Sequence, residues 1–291
     1  MSAGRLVILA GGISSRMRNA AVYSTHTDPK LLDDAARKAK AMIGLGEGDR
    51  PFMDYLLFNA RETGYEEIVI VVGAADQSIR GYYGALDRDN VFRGLKISYA
   101  IQEIPANRSK PLGTADALLQ ALRSRSDWSG QTFSVCNSDN LYSRRALKQM
   151  AASRHRNAFA DYDRSALQFE SSRIAGFAVT KKDEESYLVD IIEKPGLDQI
   201  QEVADRNGRI GVSMNLYRLY YDMILPYLEN APMHPVRQEK ELPAAVAAMA
   251  RDFPKSVYAY PLHEHVPDLT SRGDIDVVKE YLRKEFTDFS F

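Results

Sequence analysis

Four consecutive apolar residues, Leu6-Val7-Ile8-Leu9, run without a break into Ala10-Gly11-Gly12-Ile13-Ser14-Ser15-Arg16-Met17. An unbroken apolar run of this length suits a strand covered on both faces, inside a parallel sheet and not at a half-wet surface. The turn that follows is built from small residues. Gly11 and Gly12 let a ligand approach the backbone, the amides after them can face phosphate oxygens, and Arg16 adds a fixed charge with several donors. The segment reads as a buried strand ending in a cradle for a polyphosphate.

Short apolar runs then alternate with helical patterns, which predicts a parallel sheet wrapped by helices. Helices are expected over Phe52–Thr63 and Thr114–Arg125, and strands over Glu67–Gly73, Leu95–Ile101 and Phe133–Cys136. In the second half the pattern predicts strands at Ile174–Val179, Tyr187–Ile192, Gly211–Tyr217 and Val257–Pro261. Helices are expected near Tyr220–Leu228, Glu241–Ala250 and Arg272–Glu285, the last with Val277, Val278, Tyr281 and Leu282 facing inward. Asn19–Lys38 is irregular and leads into a charged, helix-like run, Asp33–Lys40; it reads equally as a lid or as a solvated insertion. No repeat or linker interrupts the chain, so a single domain over residues 1–291 is expected.

A net charge of -1 gives no electrostatic case for nucleic acid or an anionic membrane as partner. Cys136 is the single cysteine, which excludes an internal disulfide and a cysteine-built zinc site. No run approaches the roughly 20 apolar residues of a membrane span, and the N-terminus enters a strand directly without a signal-peptide pattern. A cytoplasmic protein is the expectation.

The opening segment resembles the signature loop of the sugar-1-phosphate nucleotidylyltransferases (sugar-nucleotide pyrophosphorylases), Leu-Ala-Gly-Gly-x-Gly-Thr-Arg-Met/Leu. Leu9, Ala10, Gly11, Gly12 and Arg16 match, with Ser14-Ser15 in place of Gly-Thr. Further matches follow in the family's order. Gln102 with Pro111-Leu112-Gly113-Thr114-Ala115-Asp116-Ala117-Leu118 is similar to the base-recognition segment, and Ile191-Ile192-Glu193-Lys194-Pro195-Gly196 to the Glu-Lys-Pro motif. Ser138-Asp139 stands where the family has Gly-Asp, after an apolar strand, and His265-Val266-Pro267-Asp268 resembles its late aspartate segment.

The resemblance implies a Rossmann-like three-layer α/β/α fold with a mostly parallel mixed central sheet. Its nucleotide-binding half would span about 1–140 and its sugar-phosphate half about 141–291. It implies transfer of a nucleotidyl group from a nucleoside triphosphate, with UTP or dTTP preferred, to a sugar 1-phosphate, releasing pyrophosphate. By the same resemblance Leu9, Ala10, Gly11, Gly12, Gln102, Gly113 and Thr114 bind the nucleotide, and Arg16 and Lys40 supply charge at the phosphates. Glu193, Lys194 and Asn215 hold the sugar phosphate, and Asp139 and Asp268 bind Mg2+, which wants carboxylate and phosphate oxygens. Lys30, in Pro29-Lys30-Leu31-Leu32, is the alternative to Lys40 and resembles molybdenum-cofactor nucleotidyltransferases. A glycosyltransferase of related fold and a non-catalytic nucleotide-binding homologue are the other readings. Thr114 is expected to cap the helix it opens, Asp274 to serve as a helix-start charge, and Cys136 to be inert core. His263 and His265 are expected to be an exposed pair and not zinc ligands. Tyr217, Tyr220 and Tyr221 read as core or sugar-pocket packing.

Overall fold

The computed structural model describes residues 4–12, 17, 28–287, 289 and 291. Ten strands form one mixed sheet among them: β1 Gly4–Leu9, β2 Tyr65–Gly73, β3 Asn90–Phe92, β4 Leu95–Gln102, β5 Thr132–Asn137, β6 Asn157–Asp163, β7 Val179–Lys182, β8 Leu188–Ile192, β9 Gly211–Tyr220 and β10 Val257–Leu262. The order is β10-β6-β9-β5-β1-β2-β4-β3, with the β7–β8 hairpin attached through β7 to β9. β5, β1, β2 and β4 are mutually parallel, β10 is parallel to β6, and β9 runs antiparallel between β5 and β6.

β1 is buried on both faces because its side chains alternate between two cores. Leu6 and Ile8 join Ile68, Ile70 and Val72 on one side, whereas Val7 and Leu9 join Val69 and Val71 on the other. The helices Phe52–Glu62, Arg144–Ala151 and Asp274–Glu285 cover the first face. Thr114–Ser124, Tyr221–Glu229 and Leu242–Asp252 cover the second, which completes three layers. No helix among the described residues is long and apolar enough to cross a membrane.

Two details place side chains for the site. The parallel register pairs Leu9 with Asn137, so the turns after β1 and β5 emerge side by side at the carboxyl edge of the sheet, where open α/β sheets receive ligands. Between β6 and β9 the register jumps from Phe159↔Tyr217 to Asp161↔Ser213, leaving Met214, Asn215 and Leu216 opposite Ala160 alone. Asn215 takes φ 59° at the centre of this bulge, a left-handed conformation that asparagine tolerates better than most residues.

Several expectations are corrected. Ile174–Val179 is not a strand: Ser171–Ala175 is a short helix, and β7 starts only at Val179. The final helix begins at Asp274, and Val277 is 65% exposed, so its inward stripe is carried by Ile275, Val278 and Leu282. The charged run after the glycine turn is a helix at Pro29–Arg37, started by Asp28, whose side chain accepts the Lys30 N–H at 2.9 Å. Leu31, Asp34 and Ala35 are buried on it, so this part is packed and not solvated.

Candidate active site

Two cavities meet at the carboxyl edge of β1 and β5. The first, about 300 Å³, is lined by Leu9, Ala10, Gly11, Gly12, Lys40, Gln102, Gly113, Thr114 and Asp139 among others. The second, about 750 Å³, is lined in part by Asp139, Asn140, Arg173, Glu193, Asn215 and Asp268. Lys110, Asn137, Asp139 and Glu239 belong to both. Residues separated by more than 200 positions thus surround one continuous cleft.

Asp139 and Asp268 are brought together by a short ribbon. Asn140 bridges Asp268 in antiparallel fashion, the Leu269 N–H donates to the Asp139 carbonyl at 2.8 Å, and the Leu141 N–H donates to the Pro267 carbonyl at 2.9 Å. Each carboxylate already has a cation. Lys40 Nζ donates to Asp139 Oδ2 at 2.7 Å, and Arg173 Nη2 to Asp268 Oδ2 at 2.5 Å. Burial first, and then the charge of Asp139, push the Asp268 carboxyl up to about 6 despite Arg173. Two carboxylates held on one short ribbon and lining a common cavity are a donor set suited to a hard divalent cation.

Lys30, by contrast, is exposed, pairs with Asp49 and lines neither cavity. Of the two lysines, Lys40 is the one at the cleft.

The Gln102 amide is held by two acceptors. Its Nε2 donates to the Gly113 carbonyl and to Asp116 Oδ2, both at 2.9 Å. Both N–H groups are engaged, so Oε1 is what this side chain retains for a ligand. Gly11 leaves room for it, because a Cβ there would stand 2.7 Å from Gln102 Oε1, whereas one at Gly12 would meet nothing within 4 Å. Gly113 has φ 110°, and a Cβ on it would lie 2.5 Å from the Lys240 carbonyl. Thr114 does not cap its own helix. Its Oγ1 accepts the Leu242 N–H at 2.9 Å and so caps the Leu242–Asp252 helix across the core.

A family model for nucleotidyl transferases matches residues 29–257 of the chain. The chain belongs to this family. Among solved structures, a UDP-glucose pyrophosphorylase complexed with UDP-glucose superposes with a TM-score of 0.70 at 18% identity, covering 97% of this chain and 99% of that one. A UTP-bound UGPase from Acinetobacter baumannii does so with 0.68 at 19% identity, covering 97% and 94%. These likenesses share the fold, a three-layer α/β arrangement around a mixed, mostly parallel sheet. The family match starts after the glycine turn and ends before Asp268, yet the β1–β5 register and the Asn140–Asp268 bridge bring both to the cleft.

In the second cavity, Glu193 stands just beyond β8, with Arg237 Nη2 at 3.5 Å from its Oε2. Burial, then the nearby Glu241, raises the Glu193 carboxyl. Asn215 reaches this cavity through the β9 bulge. Lys194 is exposed at φ 45° and lines neither cavity, so the structure does not bring it to the other candidates. Arg16 lies outside the described residues, as do Ser14 and Ser15.

Four charged residues lining the cleft carry no motif of their own: Lys110, Arg173, Arg237 and Glu239. Lys110 Nζ pairs with Glu239 Oε1 at 2.7 Å and donates to the Arg237 carbonyl at 2.9 Å, tying the segment before Pro111 to the loop ahead of the Leu242–Asp252 helix. Its place next to Pro111-Leu112-Gly113 is the only signal in the sequence that could have found it.

Outside the cleft, Cys136 is fully buried, Asp274 Oδ2 accepts the Thr270 and Ser271 N–H groups at 3.0 and 2.6 Å, and Tyr217 and Tyr221 are core residues. The two histidines are not an exposed pair. His263 is exposed beside Asp163 at 3.1 Å, whereas His265 is half-buried, packs against Phe169 and accepts the Gln168 N–H at 3.1 Å. Burial, and then Arg173, push His265 down to about 4. The unfolded chain therefore takes up this proton between about pH 6.5 and 4 while the folded chain does not, and stability falls as pH falls through that window. Asp268, raised in the folded state, acts in the opposite direction over part of the same range, so the effect is read as a difference. His265→Asn, which keeps an acceptor, is expected to regain about 1–2 kcal/mol relative to wild type between pH 7 and pH 4, after allowance for solvent screening. Urea unfolding at the two pH values measures it, and an unchanged difference between the proteins would exclude the buried neutral imidazole.

Proposed function

We propose that this nucleotidyltransferase moves the nucleotidyl group of UTP or dTTP onto a sugar 1-phosphate and releases pyrophosphate. The observation that carries the reading is the meeting of the two cavities at Asp139. Gln102 and Gly113 stand at the nucleotide end, Glu193 and Asn215 at the sugar end, and Asp139 and Asp268 lie where the α-phosphorus would have to be attacked. A division into a nucleotide half up to about residue 140 and a sugar-phosphate half beyond it follows the same line.

Phosphoryl chemistry of this kind demands positioning and neutralisation more than covalent participation. Gly11 and Gly12 leave the turn open to the phosphate tail, and Lys40, with Arg16 after the turn, offsets the charge of the leaving pyrophosphate. Glu193 accepts hydrogen bonds from sugar hydroxyls. Lys194 is exposed and would have to turn inward to reach the sugar phosphate. Asp139 and Asp268 would hold Mg2+, which when bound polarises the phosphoryl oxygens and offsets the charge that builds on them.

Gln102 bears on the choice of base. With both amide hydrogens engaged, its Oε1 is an acceptor, which suits the N3–H of uracil or thymine. The solved neighbours in complex with UTP and UDP-glucose support uridine. The position of Lys30 away from the cleft leaves the molybdenum-cofactor reading without its lysine.

The test is a panel of the five common triphosphates against several sugar 1-phosphates, measuring pyrophosphate with and without Mg2+. Release is expected with UTP or dTTP, only with a sugar phosphate present, and only with the metal. A preference for CTP, or no pyrophosphate from any pair, would reject the proposal.

A further inference from the structure

We infer that Arg173 is an internal counter-ion that occupies Asp268 before the divalent metal arrives, competes with it, and is handed to the anionic substrate when the metal binds. The inference rests on the reading of Asp139 and Asp268 as the metal carboxylates.

Both oxygens of Asp268 have a donor. Arg173 Nη2 donates to Oδ2 at 2.5 Å and Thr270 Oγ1 donates to Oδ1 at 2.6 Å, and the carboxylate is only 11% exposed. The hydroxyl can rotate away at little cost. The guanidinium cannot share the carboxylate comfortably with a divalent ion, because like charges a few ångströms apart in a partly buried site repel strongly. Metal binding must therefore displace Arg173 or bear that repulsion.

Displacement is local. Arg173 Nη1 also holds Asp274 Oδ1 at 2.6 Å, and the guanidinium lies 4.4 Å from the centre of the Phe169 ring. Released from Asp268, the side chain stays tethered at the wall of the larger cavity that it already lines. It sits on a helix of five residues followed directly by Gly176, with no side-chain cap at its start, so few contacts oppose a small rotation. The cation freed by the metal thus faces the space where the proposal seats the sugar phosphate. Arg173 is a positioning residue in this scheme: it acts through Asp268 until the metal comes.

The sign of the effect on metal binding separates this role from a structural one. An arginine that merely oriented Asp268 would weaken metal binding when removed, whereas a competing cation tightens it. Mn2+ is titrated against substrate-free protein, with free ion followed by electron paramagnetic resonance. Arg173→Met is expected to lower the Mn2+ Kd about tenfold. Arg173→Lys, whose ammonium lacks the planar fork that spans Asp268 and Asp274, is expected to lower it about threefold and carries the test should the methionine variant not fold. Unchanged or weakened binding in both overturns the inference. Asp268→Asn is the control: if it binds Mn2+ as wild type does, the metal reading itself fails, whereas loss of binding there with no change at Arg173 rejects the counter-ion alone.

Discussion

Asp139→Asn is expected to lower turnover about a thousandfold, roughly 4 kcal/mol of transition-state stabilisation, while the protein remains folded. The side chains of Asp139 and Lys40 are only partly buried, and an ion pair of this kind contributes about 1 kcal/mol or less to stability. The backbone of Asp139, which holds the ribbon to Leu269, is unaffected by the change. In the proposed reaction this carboxylate stands at the junction of both cavities and faces every charge that the α-phosphate must lose or share. The asparagine retains the shape and removes the charge. Pyrophosphate release under saturating substrates, set beside the thermal midpoint, separates the two effects. Turnover within tenfold of wild type would remove Asp139 from the chemistry, and a large drop in the midpoint would show that the carboxylate is structural.

Much of the sheet was legible because its central strands report burial directly. Leu6–Leu9 and Ile68–Val72 are continuous apolar runs, and Phe133–Cys136 is interrupted by Ser134 alone; a chain can hide such runs only between two covered faces. β6 is not announced by its sequence, because Asn157 and Asp161 interrupt its pattern; both are buried through partners that lie far along the chain. Ile174–Val179 misled for the opposite reason. Its β-branched ends belong to different elements, a one-turn helix and β7, separated at Gly176. Within the site, the motifs located Gln102, Glu193 and Asp139, but not what those side chains do in the folded chain. The engagement of both Gln102 hydrogens, the capping of a distant helix by Thr114, and the pairing of Arg173 with Asp268 are tertiary facts with no local spacing to announce them.

Asp161→Asn is expected to cost about 3–5 kcal/mol of stability, the largest such loss foreseen for a substitution that preserves shape. Asp161 is 1% exposed and is the shared partner of two cations: Arg209 Nη1 lies 2.5 Å from Oδ2, and Lys182 Nζ lies 3.2 Å from the same oxygen. Thr180 Oγ1 donates to Oδ1 at 2.6 Å. The cluster ties β6 to β7 and to the start of β9, so close to the backbone that a Cβ at Gly211 would fall 2.0 Å from Asp161 Oδ1. Removing this charge leaves the two cations without their shared partner, with Asp163, 3.9 Å from Arg209 Nε, as a more distant counter-charge. Lys182, already lowered by burial against the pull of Asp161, would then fall further. The unfolded state would bind more protons than the folded one, so stability in the variant rises with pH and the deficit shrinks from pH 7 toward pH 10. Urea unfolding at both pH values checks the sign and the size. Because β7 pairs with β8, which delivers Glu193, the half-saturating sugar phosphate concentration should rise while that of the nucleotide stays near wild type. A loss below about 1 kcal/mol, or one that deepens with pH, would mean that the cluster does not hold the hairpin.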